Sequence, residues 1–96
     1  MSSKDIINFL KHEKQNLNKQ FGVVDIAVFG SFAKNENVSS SDVDILVEFD
    51  KVSFDKYIKL KIFLENKLAA NIDLIRKGPH LSSDFLSSIE KDLIYA

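Results

Sequence analysis

Val23-Val24-Asp25-Ile26-Ala27-Val28-Phe29-Gly30-Ser31-Phe32-Ala33-Lys34, followed after a polar loop by Ser41-Asp42-Val43-Asp44-Ile45-Leu46-Val47-Glu48-Phe49, is the stretch that decides how this chain folds. The run 23–29 reads as a largely buried strand that stops at Gly30. Residues 31–36 are expected to form a short helix. Asn37 to Ser41 is polar and serine-rich, hence a loop, and 43–49 is the second strand.

The rest of the chain is read outward from this unit. Ile6, Ile7, Leu10 and Leu17 recur among lysines and asparagines, which predicts one amphipathic helix over residues 4–20 with Ser2 or Ser3 near its N-cap. Phe21-Gly22 closes it, since glycine suits the position just past a helix. A second long helix is expected over 54–69, with Ser53 as N-cap and Phe54, Tyr57, Ile58 and Leu68 towards the core. Ile72-Asp73-Leu74-Ile75 reads as a third strand, stopped by Lys77-Gly78-Pro79. Leu81, Phe85, Leu86, Ile89 and Leu93 give a last helix. The order α-β-α-β-α-β-α makes an α/β (α+β) domain, a small mixed sheet flanked by helices. No internal repeat is visible.

Composition narrows the field. The chain has 96 residues, 45% hydrophobic and 28% charged, with a net charge of −1, which fits one domain over 1–96. A chain this short buries only about 60–65% of its unfolded surface. Little room is left for an accessory domain, so a partner is expected to supply what one sheet cannot. There is no cysteine, hence no disulfide framework and no thiolate metal site. No apolar run approaches the ~20 residues that span a bilayer, and Met1-Ser2-Ser3-Lys4-Asp5 lacks a signal-peptide layout. A cytoplasmic protein without membrane attachment is expected. Near-neutral charge argues against stable nucleic-acid binding, which neutralises many phosphates. Arg76 is the single arginine, so bidentate arginine clamps on phosphate are nearly absent.

Three features carry chemistry. Gly30 lets the backbone come close to a ligand, and the N–H groups of the helix start after it attract anions. The Ser31 hydroxyl can donate to a phosphate oxygen; the competing reading is that it merely caps its helix. Side chains alternate along a strand, so Asp42 and Asp44 face the same way. Paired carboxylates raise each other's pKa, and a divalent cation with oxygen ligands relieves that, Mg²⁺ being usual where phosphates share the site. Two such ions about 3.5–4 Å apart stabilise both the attacking and leaving oxygens of an in-line displacement. The competing reading of Asp42-Val43-Asp44 is an Asx turn at a solvated loop end. Asp73 lies in an apolar strand; beside the Asp42–Asp44 strand it completes a carboxylate triad, and otherwise it sits in water on an edge strand. Asn71 shares its face, and Arg76 points away. His12 and His80 read as solvated side chains, since nothing near them completes a metal set.

These residues resemble the minimal nucleotidyltransferases, the MNT antitoxin-type proteins of the DNA polymerase β-like superfamily. The hallmark is Gly-Ser at a strand–helix turn, about ten residues of helix and loop, then Asp-x-Asp, here Gly30-Ser31 and Asp42-Val43-Asp44. A later strand carries a third acid, matched by Asp73. The resemblance covers essentially the whole chain. It implies ATP as substrate and two Mg²⁺ ions held by Asp42, Asp44 and Asp73, with Asp73 helping to activate the acceptor. It places Gly30, Ser31, Lys34 and Ser41 at the nucleotide's phosphates. Many relatives read Gly-Ser-x-Ala-Arg-Gly where this chain has Lys34-Asn35. Lysine keeps the charge but loses the fork geometry, and asparagine still tolerates the left-handed backbone of the turn.

Members of this group are often encoded beside a HEPN-type RNase toxin and silence it by attaching AMP to a tyrosine. The resemblance therefore implies a protein adenylyltransferase acting as antitoxin, with the HEPN protein as partner and a homo-oligomer allowed. Two alternatives stand beside it. One is an antitoxin that neutralises by contact without catalysis. The other is a small-molecule nucleotidyltransferase of the aminoglycoside-modifying kind, which normally needs a second domain.

Overall fold

A computed structural model describes all of residues 1–96. The elements are α1 (Ser3–His12), α2 (Lys14–Phe21), β1 (Val23–Phe29), α3 (Gly30–Ala33), β2 (Val43–Phe49), α4 (Phe54–Leu68), β3 (Ile72–Arg76), α5 (Ser83–Glu90) and β4 (Ile94–Tyr95). The four strands form one mixed sheet in the order β3-β2-β1-β4. β1 runs antiparallel to β2 and to β4. β2 and β3 are parallel, and a parallel neighbour requires a crossover, which α4 provides.

Alternation along the strands divides the apolar residues between two faces. Val43, Ile45 and Val47 of β2, Ile26 and Val28 of β1, and Ile72 and Leu74 of β3 enter the main core with Ile6, Leu10 and Leu17. Leu60, Leu64 and Leu68 of α4 close that core. On the other face Phe29, Leu46 and Ile89 form a much smaller cluster, with Phe85 and Leu93 packed against it. Asp44, two residues before Leu46, therefore belongs to this thinly covered face.

Local chemistry explains the helix starts. The Ser2 hydroxyl accepts the Asp5 N–H while the Asp5 carboxylate accepts the Ser2 N–H, a capping box. The Ser2 backbone N–H foremost, and then the Ser2 side chain, hydrogen-bond the Asp5 carboxyl and hold it below its usual range. Ser53 caps α4 through the Lys56 N–H, as expected. Gly22 ends α2 in the left-handed region, with φ 72°.

The expected single helix over 4–20 is broken at Glu13, which ends α1 and precedes α2 with φ −91° and ψ 2°. The six residues between Leu10 and Leu17 are polar, and the bend lets both apolar patches reach the sheet. Within α4, Phe54 and Ile58 are exposed rather than facing the core, a place taken by Leu60, Leu64 and Leu68. The last helix is shorter than its apolar pattern, and β4 follows it as a fourth strand. β3 is an edge, but its outer border is occupied. The Tyr57 hydroxyl donates to the Leu74 carbonyl at 2.5 Å, and the Ile72 N–H donates to Glu65 Oε2 at 3.4 Å. No helix is long and apolar enough to cross a membrane.

Candidate active site

Three neighbouring strands bring the singled-out residues to one level. Phe29, the last residue of β1, lies opposite Asp44 on β2, and Asp44 lies beside Asp73 on β3. Gly30 follows Phe29 directly, so the glycine turn and the acid pair meet across two strand pairings. Gly30 has φ 73°. A Cβ built there would be driven into Asp44 Oδ2 and would stand 3.0 Å from its Cγ. The Asp44 carboxylate thus lies over the glycine backbone, a packing that only a residue without a side chain permits.

Asp44 is half-buried, and burial pushes its carboxyl up to about 6. The charge of Asp73, a hydrogen bond between the two carboxyl groups and the charge of Asp42 push the same way. Asp73 is exposed on the border strand, so the water-facing part of the competing reading holds. The convergence with Asp44 holds as well. Asp42 stands just before β2 and is exposed. No three carboxylate or histidine side chains are gathered into a ready-made metal cage. The all-oxygen donor set beside a half-buried, mutually repelling pair suits a hard divalent cation.

At the other end of the site, Ser31 is not a cap. The N-cap position of α3 falls on Phe29 and carries no side-chain hydrogen bond. Asn35 adopts φ 58°, the left-handed backbone expected of it at this turn. Lys34 closes α3, and its ammonium stands 3.9 Å from both Glu36 Oε1 and Asp92 Oδ2. The Ser41 hydroxyl accepts the Val38 N–H at 2.9 Å, so it folds the loop back just before Asp42 while its own proton stays available. Arg76 lies on the other face, where its Nη2 donates to His80 Nδ1 at 3.1 Å. A cleft of about 740 Å³ is bounded by the 37–41 loop, Phe32, Glu65 and the Leu68–Asn71 turn, and none of Asp42, Asp44 and Asp73 lines it. No signal in the sequence marks that cleft, because it arises where two distant loops meet.

Residues 6–96 match the family model described as a nucleotidyltransferase domain. The chain belongs to that family and is of the minimal type. It is 39% identical over 92 residues to the "Putative protein adenylyltransferase MJ0128" of Methanocaldococcus jannaschii, covering 95% of this chain and 94% of the relative. It is 35% identical over 96 residues to the protein adenylyltransferase MntA of Thermococcus cleftensis, covering 99% and 96%. Among solved structures, a "putative minimal nucleotidyltransferase" superposes with TM-score 0.79 at 25% identity, over 98% of this chain and 95% of that one. An MNT antitoxin, solved in complex with a tri-AMPylated HEPN toxin of Shewanella oneidensis, shares the fold with TM-score 0.63 at 16% identity, over 92% and 69%.

Proposed function

We propose that this protein moves AMP from ATP to a hydroxyl group, a tyrosine, on a HEPN-type toxin, and thereby acts as its antitoxin in the cytoplasm. The observation that carries the reading is the Asp44–Asp73 pair held in register beside Gly30. Asp42 and Asp44 would hold Mg²⁺, and Asp73 would join them or take the acceptor's proton. The bound cation supplies charge neutralisation at the phosphate oxygens. The backbone at Gly30, the Ser31 hydroxyl, Lys34 and Ser41 would hold the triphosphate. The acceptor oxygen attacks the α-phosphorus, the bond to the β-phosphate oxygen breaks, and pyrophosphate leaves. The names of the protein adenylyltransferase relatives and the AMPylated toxin in the MNT complex support this reading.

Incubation of the purified chain with α-labelled ATP, Mg²⁺ and the proposed HEPN-type toxin partner is expected to label that toxin. Absence of label, with both proteins folded, would overturn the reading. A second reading is neutralisation by contact alone. In cells, an Asp42→Asn, Asp44→Asn double variant that still silences the toxin would establish it.

A further inference from the structure

Helix α4 carries two apolar stripes, and the fold uses one. Leu60, Leu64 and Leu68 enter the core. Phe54, Ile58 and Ile62, also four residues apart, are 78%, 36% and 52% exposed. Val52, just before the helix, is 64% exposed. An exposed phenylalanine followed at i+4 and i+8 by isoleucines forms a continuous stripe along a helix, unlike scattered surface apolar residues. Phe54 also lines a groove of about 550 Å³ that runs from Tyr57 to Leu74, Ile75 and Leu81. The charged residue lining the groove is Arg76, with His80 beside it and no acid among the lining residues.

The charges say what fits. The acids near the stripe are already engaged: Asp55 pairs with Lys59 at 3.1 Å, and Glu65 accepts the Ile72 N–H. A second copy of this chain would bring the same engaged acids against the same cationic groove. We propose that the α4 stripe and this groove form a docking surface for an acidic amphipathic helix of a partner protein. The partner's apolar face covers Phe54, Ile58 and Ile62, and a flanking carboxylate meets Arg76, whose remaining N–H groups suit a bidentate acceptor. The surface lies at the end of β3 away from Asp73, and peptide binding needs no ATP. It therefore stands or falls apart from the nucleotidyl-transfer reading.

Two synthetic helical peptides of about 18 residues, with one leucine stripe but flanked either by glutamates or by lysines, provide the probes. Fluorescence anisotropy on the full chain is expected to show saturable binding of the glutamate peptide, about tenfold tighter than the lysine peptide. A Phe54→Ala, Ile58→Ala, Ile62→Ala variant, with circular dichroism unchanged, is expected to lose that binding about tenfold or more. Arg76→Glu is expected to remove the preference between the peptides. Equal binding of both peptides by the unaltered chain, or no binding, overturns the proposal. Self-association abolished by the triple variant assigns the face to a second copy. Preferential binding of phosphatidylserine vesicles assigns it to a lipid surface. Either result overturns the proposal too.

Discussion

Gly30 is the residue on which the site turns. Its left-handed φ and the carboxylate lying over it make Gly30→Ala a double fault, backbone strain plus displacement of Asp44. A loss of about 1–3 kcal/mol in urea unfolding is expected, together with loss of AMP transfer. Asp44 makes a second prediction, on pH. Its carboxyl is raised to about 6 from an ordinary value of 3.8, so the folded protein holds that proton more tightly than the unfolded chain. The stability this gives is fully present below pH 3.8, falls as pH climbs towards 6, and is gone above it. Because Asp44 is only half-buried, the expected loss is about 1 kcal/mol after solvent screening. Urea titrations of the metal-free protein from pH 3.5 to 7 read the slope, and Asp44→Asn is expected to abolish it. At pH 7, Mg²⁺ at about ten times its Kd is expected to stabilise the chain by about 1.4 kcal/mol, and Asp44→Asn to lose that gain. The pairing of Asp42 with Asp44 on one side was legible from strand alternation. That Asp73 reaches Asp44 was legible only as a condition, because it depends on which strands are neighbours.

At the scale of elements, α4 shows what periodicity does and does not encode. A four-residue spacing announces an apolar stripe; it does not say which of two stripes faces the sheet. Leu64 is fully buried while Phe54 is exposed. Leu64→Ala is expected to cost about 2–5 kcal/mol, and Phe54→Ala to change stability by less than about 0.5 kcal/mol, both by thermal or urea unfolding. The bend at Glu13 was hidden for a related reason. The polar residues between Leu10 and Leu17 satisfy a straight helix as well as a broken one, and only the demand that both patches bury decides. β4 escaped because two residues carry no period at all. β1 and β2, by contrast, stand where their apolar runs and the flanking Gly22, Gly30 and Ser41 put them.

Over the whole molecule, burial is lopsided. Eighteen buried residues bind α1, α2, α4 and the sheet into one core, whereas three hold the opposite face, where α5 packs and the acids lie. The site therefore sits on the side of the sheet with least cohesion. Hydrogen exchange is expected to show amides of α5 opening before those of β1 and β2. Ile89→Ala is expected to speed exchange in α5 with little effect on the β2 amides, and equal protection of both faces would contradict this account. Residue order alone does not show this imbalance, since Phe29, Leu46 and Ile89 are as apolar as their counterparts. Which face they occupy follows from pairing across β1 and β2.

The border of β3 has one more bearing. A strand with a free outer edge is a template on which another chain can add itself, and repeated addition makes a fibre. Here the template strand carries Asp73, so a chain stacked on it would smother the acid proposed to take the acceptor's proton. The Tyr57 hydroxyl on Leu74 and the Glu65 carboxylate on the Ile72 N–H occupy two of the docking points. Tyrosine and glutamate thus give the sheet a finished hem, and solubility and access to the acid become one property maintained by the same two side chains.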